Sequence, residues 1–171
     1  RETGFIPAAF VNMLAVLGWN DGTEQELYSI AELIEKFSVE RVHKAGARFD
    51  YEKAKWFNHE WIKKLSVEEL LPFVKKLLEE KNLPIADDQL LLSVISLVRD
   101  RCSLIPDFYP QAKFFFEAPQ QWDLQAVKPK WNDEKADFFG DLLEQLKNLP
   151  DWTTFSVEAA FKELAVAKNI K

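Results

Sequence analysis

The side chains with the most chemical potential in this sequence are cations set among aromatics. Between positions 38 and 64, Arg41, Lys44, Arg48, Lys53, Lys55, Lys63 and Lys64 stand against Glu40, Asp50, Glu52 and Glu60, with Trp56 and Trp61 interleaved. Ammonium and guanidinium groups displace counterions from phosphate, so such a stretch can hold an RNA backbone. From composition alone the simpler reading is a solvated helix face whose tryptophans turn into a core. A second cationic feature, Arg99 and Arg101, closes a strongly apolar helical run. Cations suit a helix C-terminus and bond its free carbonyls. The other reading is a base-reading arginine held rigid by a packed helix. Lys128, Lys130 and Lys162 are weaker phosphate candidates.

The remaining reactive residue types do not assemble into a catalytic set. Cys102 follows an arginine, which lowers a thiol pKa, but a small half-buried residue at a helix end is the simpler reading. His43 and His59 lie in no CxxC or HExxH context, so no zinc site is expected. The acidic pairs Asp87–Asp88 and Glu79–Glu80 fit a helix start and a solvated face. There is no GxxxxGK[ST] and no GxGxxG to cradle a phosphate on glycine amides. The expectation is a binding module without a catalytic site of its own.

Helical periodicity supplies the elements that must position these residues. Pro7 opens a helix whose apolar face is read as Phe10, Leu14 and Leu17, ending at Gly18. Ser29 with Glu32, and Ser66 with Glu69, are capping boxes. Ser38 caps a brief turn, residues 44–47 form a loop, and Asp50 caps a helix to about residue 65. That helix shows Trp56, Phe57 and Trp61 on one broad side. Pro72 predicts a kink or break in the helix begun at Ser66. Asp87 opens the run Leu91, Val94, Ile95 and Val98 that ends near Arg99. Residues 112–116 form a short helix or turn, and residues 119–129 read as a connector. Asn132 and Ser156 cap two last helices. No strand pattern is sustained and no repeat appears, so the fold class is all-α.

Composition narrows the partners. The 171-residue chain is 47% hydrophobic, enough for one sizeable core or a few small helical subdomains. A net charge of −6 excludes bulk polyanion binding and requires a local basic face for any nucleic-acid contact. One cysteine permits no internal disulfide and fits a reducing compartment. The apolar stretch at residues 10–17 is too short to cross a bilayer and is interrupted by Asn12, and it lacks signal-peptide flanks. Because the first residue is Arg1, the chain is expected to be a piece of a longer protein.

Two segments then fall into a known order: GFIPAAFVNMLAVLGW from Gly4, and ELYSIAELIEKFSVERVHKAGARFDYEKAKWFN from Glu26. They resemble bacterial-type glutamyl-tRNA synthetases, where GFLPEAxxNYLxLLGW follows the KMSKR-type loop and ELIExFxxERVxKxxxxFDxEKLxWxN comes next. The likeness is close over residues 4–64, good over 66–116 and loose after Pro119. His59 and Trp61 stand where that family commonly has Gly and Tyr, and Ala54 where it has Leu. The resemblance implies that residues 1–65 are the later part of a tRNA stem-contact domain and 66–121 a helical anticodon-binding domain. Residues 122–171 would begin a second anticodon-binding subdomain, stopping before a PLRxAL-like run. It implies a parent that activates glutamate with ATP and Mg through HIGH and KMSKR motifs, neither of which occurs here.

The resemblance also gives the arginines roles. Val98 to Cys102 matches an RxR-like turn whose second arginine, here Arg101, reads the third anticodon base, with Arg99 beside it. Arg48, Lys53, Lys55, Lys63 and Lys162 are the candidates for the RNA backbone. The expected partner is a glutamate tRNA, with no DNA and no membrane, for a cytoplasmic monomer that holds no cofactor in this segment. The alternative is a helical protein–protein interaction module using Phe114, Phe115, Phe116 and Trp122 as an apolar patch.

Overall fold

The computed structural model describes residues 3–44 and 46–170; Ala45, within the expected 44–47 loop, lies outside them. Among the described residues every regular element is helical, and the sole strand-like feature is an isolated bridge between Trp19 and Val42. Two compact units form, Arg1–Ala118 and Pro119–Lys171.

The first unit holds α1 (Pro7–Gly18), α2 (Ile30–Lys36), α3 (Tyr51–Lys64), α4 (Val67–Glu80), α5 (Asp88–Val98) and α6 (Phe108–Ala112). Its main core joins Leu70, Val74 and Leu78 of α4 to Leu91, Val94, Ile95 and Val98 of α5 and Phe108 of α6. Trp61 and Ile62 of α3, with Ile6 and Ala9, belong to the same core, which therefore runs across positions 65 and 66. Each such large side chain contributes roughly 1.5–3 kcal/mol relative to exposure.

Most caps follow local sequence, although Ser38 stands before its 3-10 turn (Val39–Arg41) without a side-chain capping bond. Ser29 with Glu32 and Ser66 with Glu69 form reciprocal boxes, and Asp50, Asp87 and Asn132 accept from the first-turn amides of their helices. Three further expectations need correction. Thr153, not Ser156, caps the last helix; Ser156 sits at the third position of the box, and its hydroxyl accepts from the Thr153 amide. Of the kink or break expected at Pro72, the break does not occur: helix α4 continues through it. Pro72 lies on the exposed side, where water can hydrate the carbonyl it leaves unpaired. The buried side of α1 is Ala9, Asn12 and Met13, whereas Phe10 and Leu14 face outward, Leu14 at 47% exposure. Asn12 is buried because its carboxamide is well used: it accepts from the Tyr28 amide and the Trp61 indole and donates to the Glu26 carbonyl.

The second unit holds α7 (Leu124–Val127), α8 (Asp133–Lys147) and α9 (Thr154–Ala167). Phe138, Leu142 and Leu164 make its small core, Trp131 stacks on Phe139, and Lys168 pairs with Asp141.

Candidate nucleic-acid interface

Helix α5 ends at Val98 and tightens into a 3-10 turn over Arg99–Arg101. Arg99 does not serve its own helix. Its guanidinium donates to the carbonyls of Lys63 (2.8 Å) and Leu65 (3.0 Å), closing the C-terminal end of α3. The reverse contacts come from α3. His59 Nδ1–H donates to the Cys102 carbonyl (2.9 Å), and the Asn58 amide donates to the Ser103 carbonyl (2.6 Å). Asn58 is fully buried and also accepts from the Ile6 amide (2.7 Å).

Downstream, the Asp107 carboxylate accepts the amides of Ser103 and Leu104, and the Ile105 amide donates to the Gly4 carbonyl. Gly4 has φ +80° and lies so close to the Pro106 ring that a Cβ would collide with it. Cys102 is buried beneath the turn; burial, with the Asp107 charge, pushes its thiol up to about 12. That thiol stays protonated at neutral pH and is no nucleophile. Arg101, between these anchors, is exposed, and among the described residues its guanidinium has no hydrogen-bond or ion-pair partner.

The cations of α3 are placed differently. Lys53 pairs with Glu26 (2.6 Å), Lys55 with Glu52 (3.0 Å) and Lys63 with Glu60 (3.1 Å). In the second unit, Lys162 pairs with Glu158 (2.5 Å). The hydrogen bond from Lys55 to Glu52 raises the lysine's pKa, and its ammonium also lies over the Tyr51 ring. Lys53 and Lys55, two positions apart, point about 200° apart around the helix and cannot share one flat surface. Arg48 is exposed at a recess that it lines with Lys53 and Phe57. The tryptophans divide: Trp61 is core, and Trp56 is exposed.

Sequence reasoning passed over Asn58 and the bonding role of His59. The signal for Asn58 was its place in the buried arc of Ala54, Phe57, Trp61 and Ile62, where an amide must find partners. It also passed over Asp21, which anchors Lys36 (3.1 Å) and whose backbone carbonyl accepts from Arg41. The Thr23 hydroxyl, then the backbone amide and Lys36, hold the Asp21 carboxyl well below the usual carboxylate range. In the region of the alternative reading, Phe116 packs on the main core, while Phe114 and Trp122 are exposed. No helix among the described residues is long and apolar enough to cross a membrane.

This helical architecture is that of one part of the glutamate–tRNA ligases. The structure of a glutamate tRNA ligase from Elizabethkingia meningosepticum in complex with its amino acid matches with a TM-score of 0.87 and 39% identity, covering 98% of this chain and 33% of that one. Glutamate-tRNA synthetase from Elizabethkingia anophelis matches with a TM-score of 0.81 and 38% identity, over 98% and 32%. In sequence, the glutamate–tRNA ligase of Flavobacterium johnsoniae is 42% identical over 170 residues, 99% of this chain and 34% of its own length. The chain thus spans about a third of the length of these relatives. It belongs to the anticodon binding domain family, whose model matches residues 29–171.

Proposed function

We propose that this chain is the tRNA-selecting part of a glutamate–tRNA ligase, with Arg101 reading the third anticodon base. The observation that carries the reading is an exposed guanidinium, without a partner among the described residues, on a turn anchored from both sides, within a member of the anticodon binding family. Cytosine presents O2 and N3 acceptors on its pairing edge, and guanidinium offers only donors. Guanine presents N1–H and N2–H₂ donors there and opposes the arginine. A glutamate anticodon ends in C and a glutamine anticodon in G, so this one contact separates the two tRNAs.

In this reading residues 1–65 carry stem contacts, 66–121 meet the anticodon, and 122–171 begin a second anticodon-binding subdomain. One core runs across positions 65 and 66, so the first division is proposed as one of surfaces. Arg99 supports the reader by bracing it. Arg48, Lys53, Lys55, Lys63 and Lys162 are backbone contacts, and the lysines must exchange a carboxylate for a phosphate to act. ATP and Mg are handled by the rest of the ligase, in the cytoplasm, and one monomer engages one tRNA.

The test is filter binding of labelled glutamate tRNA and of the same tRNA with G as third anticodon base, across a salt series. Wild type is expected to bind both in a salt-sensitive way and to prefer C. Arg101→Gln is expected to reduce that preference by about 1–3 kcal/mol. Equal preference in wild type and variant removes Arg101 from the role. Absence of binding at any salt favours the protein-interaction alternative.

A further inference from the structure

Among the described residues the Arg101 guanidinium has no partner, while the turn that carries it is bonded to α3. The carbonyls of Cys102 and Ser103 are held by consecutive α3 residues, His59 and Asn58. Arg99, two positions before Arg101, reaches back to the last carbonyls of α3. Bonds therefore run in both directions between helix and turn.

We propose that His59 and Arg99 are positioning residues that set the base selectivity of Arg101, an inference that rests on the anticodon reading above. The physical reason lies in guanine. Its pairing edge repels a guanidinium, but its O6 and N7 form a good acceptor pair for one. An arginine on a loose turn reaches those atoms and accepts the wrong base. An arginine on a turn pinned to α3 cannot follow them. The brace therefore acts against guanine more than in favour of cytosine, and loosening it raises affinity for the wrong RNA.

The experiment uses the whole 171-residue chain and two anticodon hairpins differing only in C or G at the third position, with binding read by fluorescence anisotropy. For His59→Ala the expected result is a C-hairpin Kd within about two-fold of wild type and a G-hairpin Kd about five-fold tighter. His59→Asn, whose amide can donate to the same carbonyl, restores the ratio. In an Arg101→Gln background, His59→Ala leaves the ratio unchanged. Arg99→Lys, which keeps the charge and one donor, shows the same trend and stands in if His59→Ala melts by circular dichroism at the assay temperature.

A His59→Ala ratio equal to wild type overturns the inference while leaving the anticodon reading intact. So does a ratio that falls only through weaker C binding, or by the same factor without Arg101. A wild-type chain with no preference overturns the anticodon reading itself, and this inference with it.

Discussion

Helix α3 and the turn after α5 both concentrate cations, and they use them in opposite ways. On α3, Lys53, Lys55 and Lys63 each face a carboxylate and point in different directions around the helix. In the turn, Arg99 is built into the scaffold and Arg101 is left without a partner among the described residues. Three lysines of the richer basic stretch are thus paired with carboxylates, while Arg48 and Lys64 of that stretch, like Arg101 in the turn, have no ion-pair partner among the described residues. What distinguishes the two is constraint: a pair of flexible side chains at the surface is worth little, whereas the turn anchored by buried Asn58 and by His59 fixes the backbone from which the Arg101 guanidinium extends.

The sharpest way to break this contrast is to remove the anchor. Asn58→Ala strands the Ile6 amide and the Ser103 carbonyl, so a loss of about 2–4 kcal/mol is expected in urea denaturation. Arg101→Gln, which touches no scaffold bond, should stay within about 0.5 kcal/mol of wild type in the same measurement. A large loss for Arg101→Gln, or none for Asn58→Ala, erases the distinction between the frame and the exposed arginine.

A second, smaller effect concerns Asp21, the carboxylate that ties Lys36 down. Its folded pKa is depressed by Thr23 first, with Lys36 among the lesser causes, so its stabilising contribution is present above the ordinary carboxylate pKa, near 4. That contribution is lost as pH falls through the lower folded value. Thermal melts from pH 7 to pH 3 should show Asp21→Asn less stable than wild type at neutral pH, with the gap narrowing below about pH 4. A gap independent of pH places the effect in packing instead.

The smallest effect is expected from the surface pairs. Lys53→Gln or Lys63→Gln should change stability by about 0.5 kcal/mol or less. Each should weaken binding to C and G RNAs alike, and each should lower the salt slope by about 1 if its lysine meets phosphate. A change in base preference from either lysine would move specificity onto α3 and reverse the comparison.

Much of the fold was legible because it is local. The boxes at Ser29 and Ser66, the caps at Asp50, Asp87 and Asn132, and the 3-4-7 spacing of Leu91, Val94, Ile95 and Val98 involve residues within a turn or two of one another. The misreading of α1 came from a different source. Phe10 and Leu14 are apolar, but which side of a helix is buried depends on what packs against it, and Asn12 faces inward because three distant groups satisfy it.

By itself, then, the sequence determined helix content, most helix starts, the capacity for a basic contact and the two arginines at the end of α5. Only the tertiary structure decided what each arginine does. Arg99 meets carbonyls 34 and 36 positions away, and the anchors from Asn58 and His59 cross 45 and 43 positions. Contacts of that separation have no periodic trace in a sequence, because they depend on how α3 and α5 pack and not on the repeat of either helix.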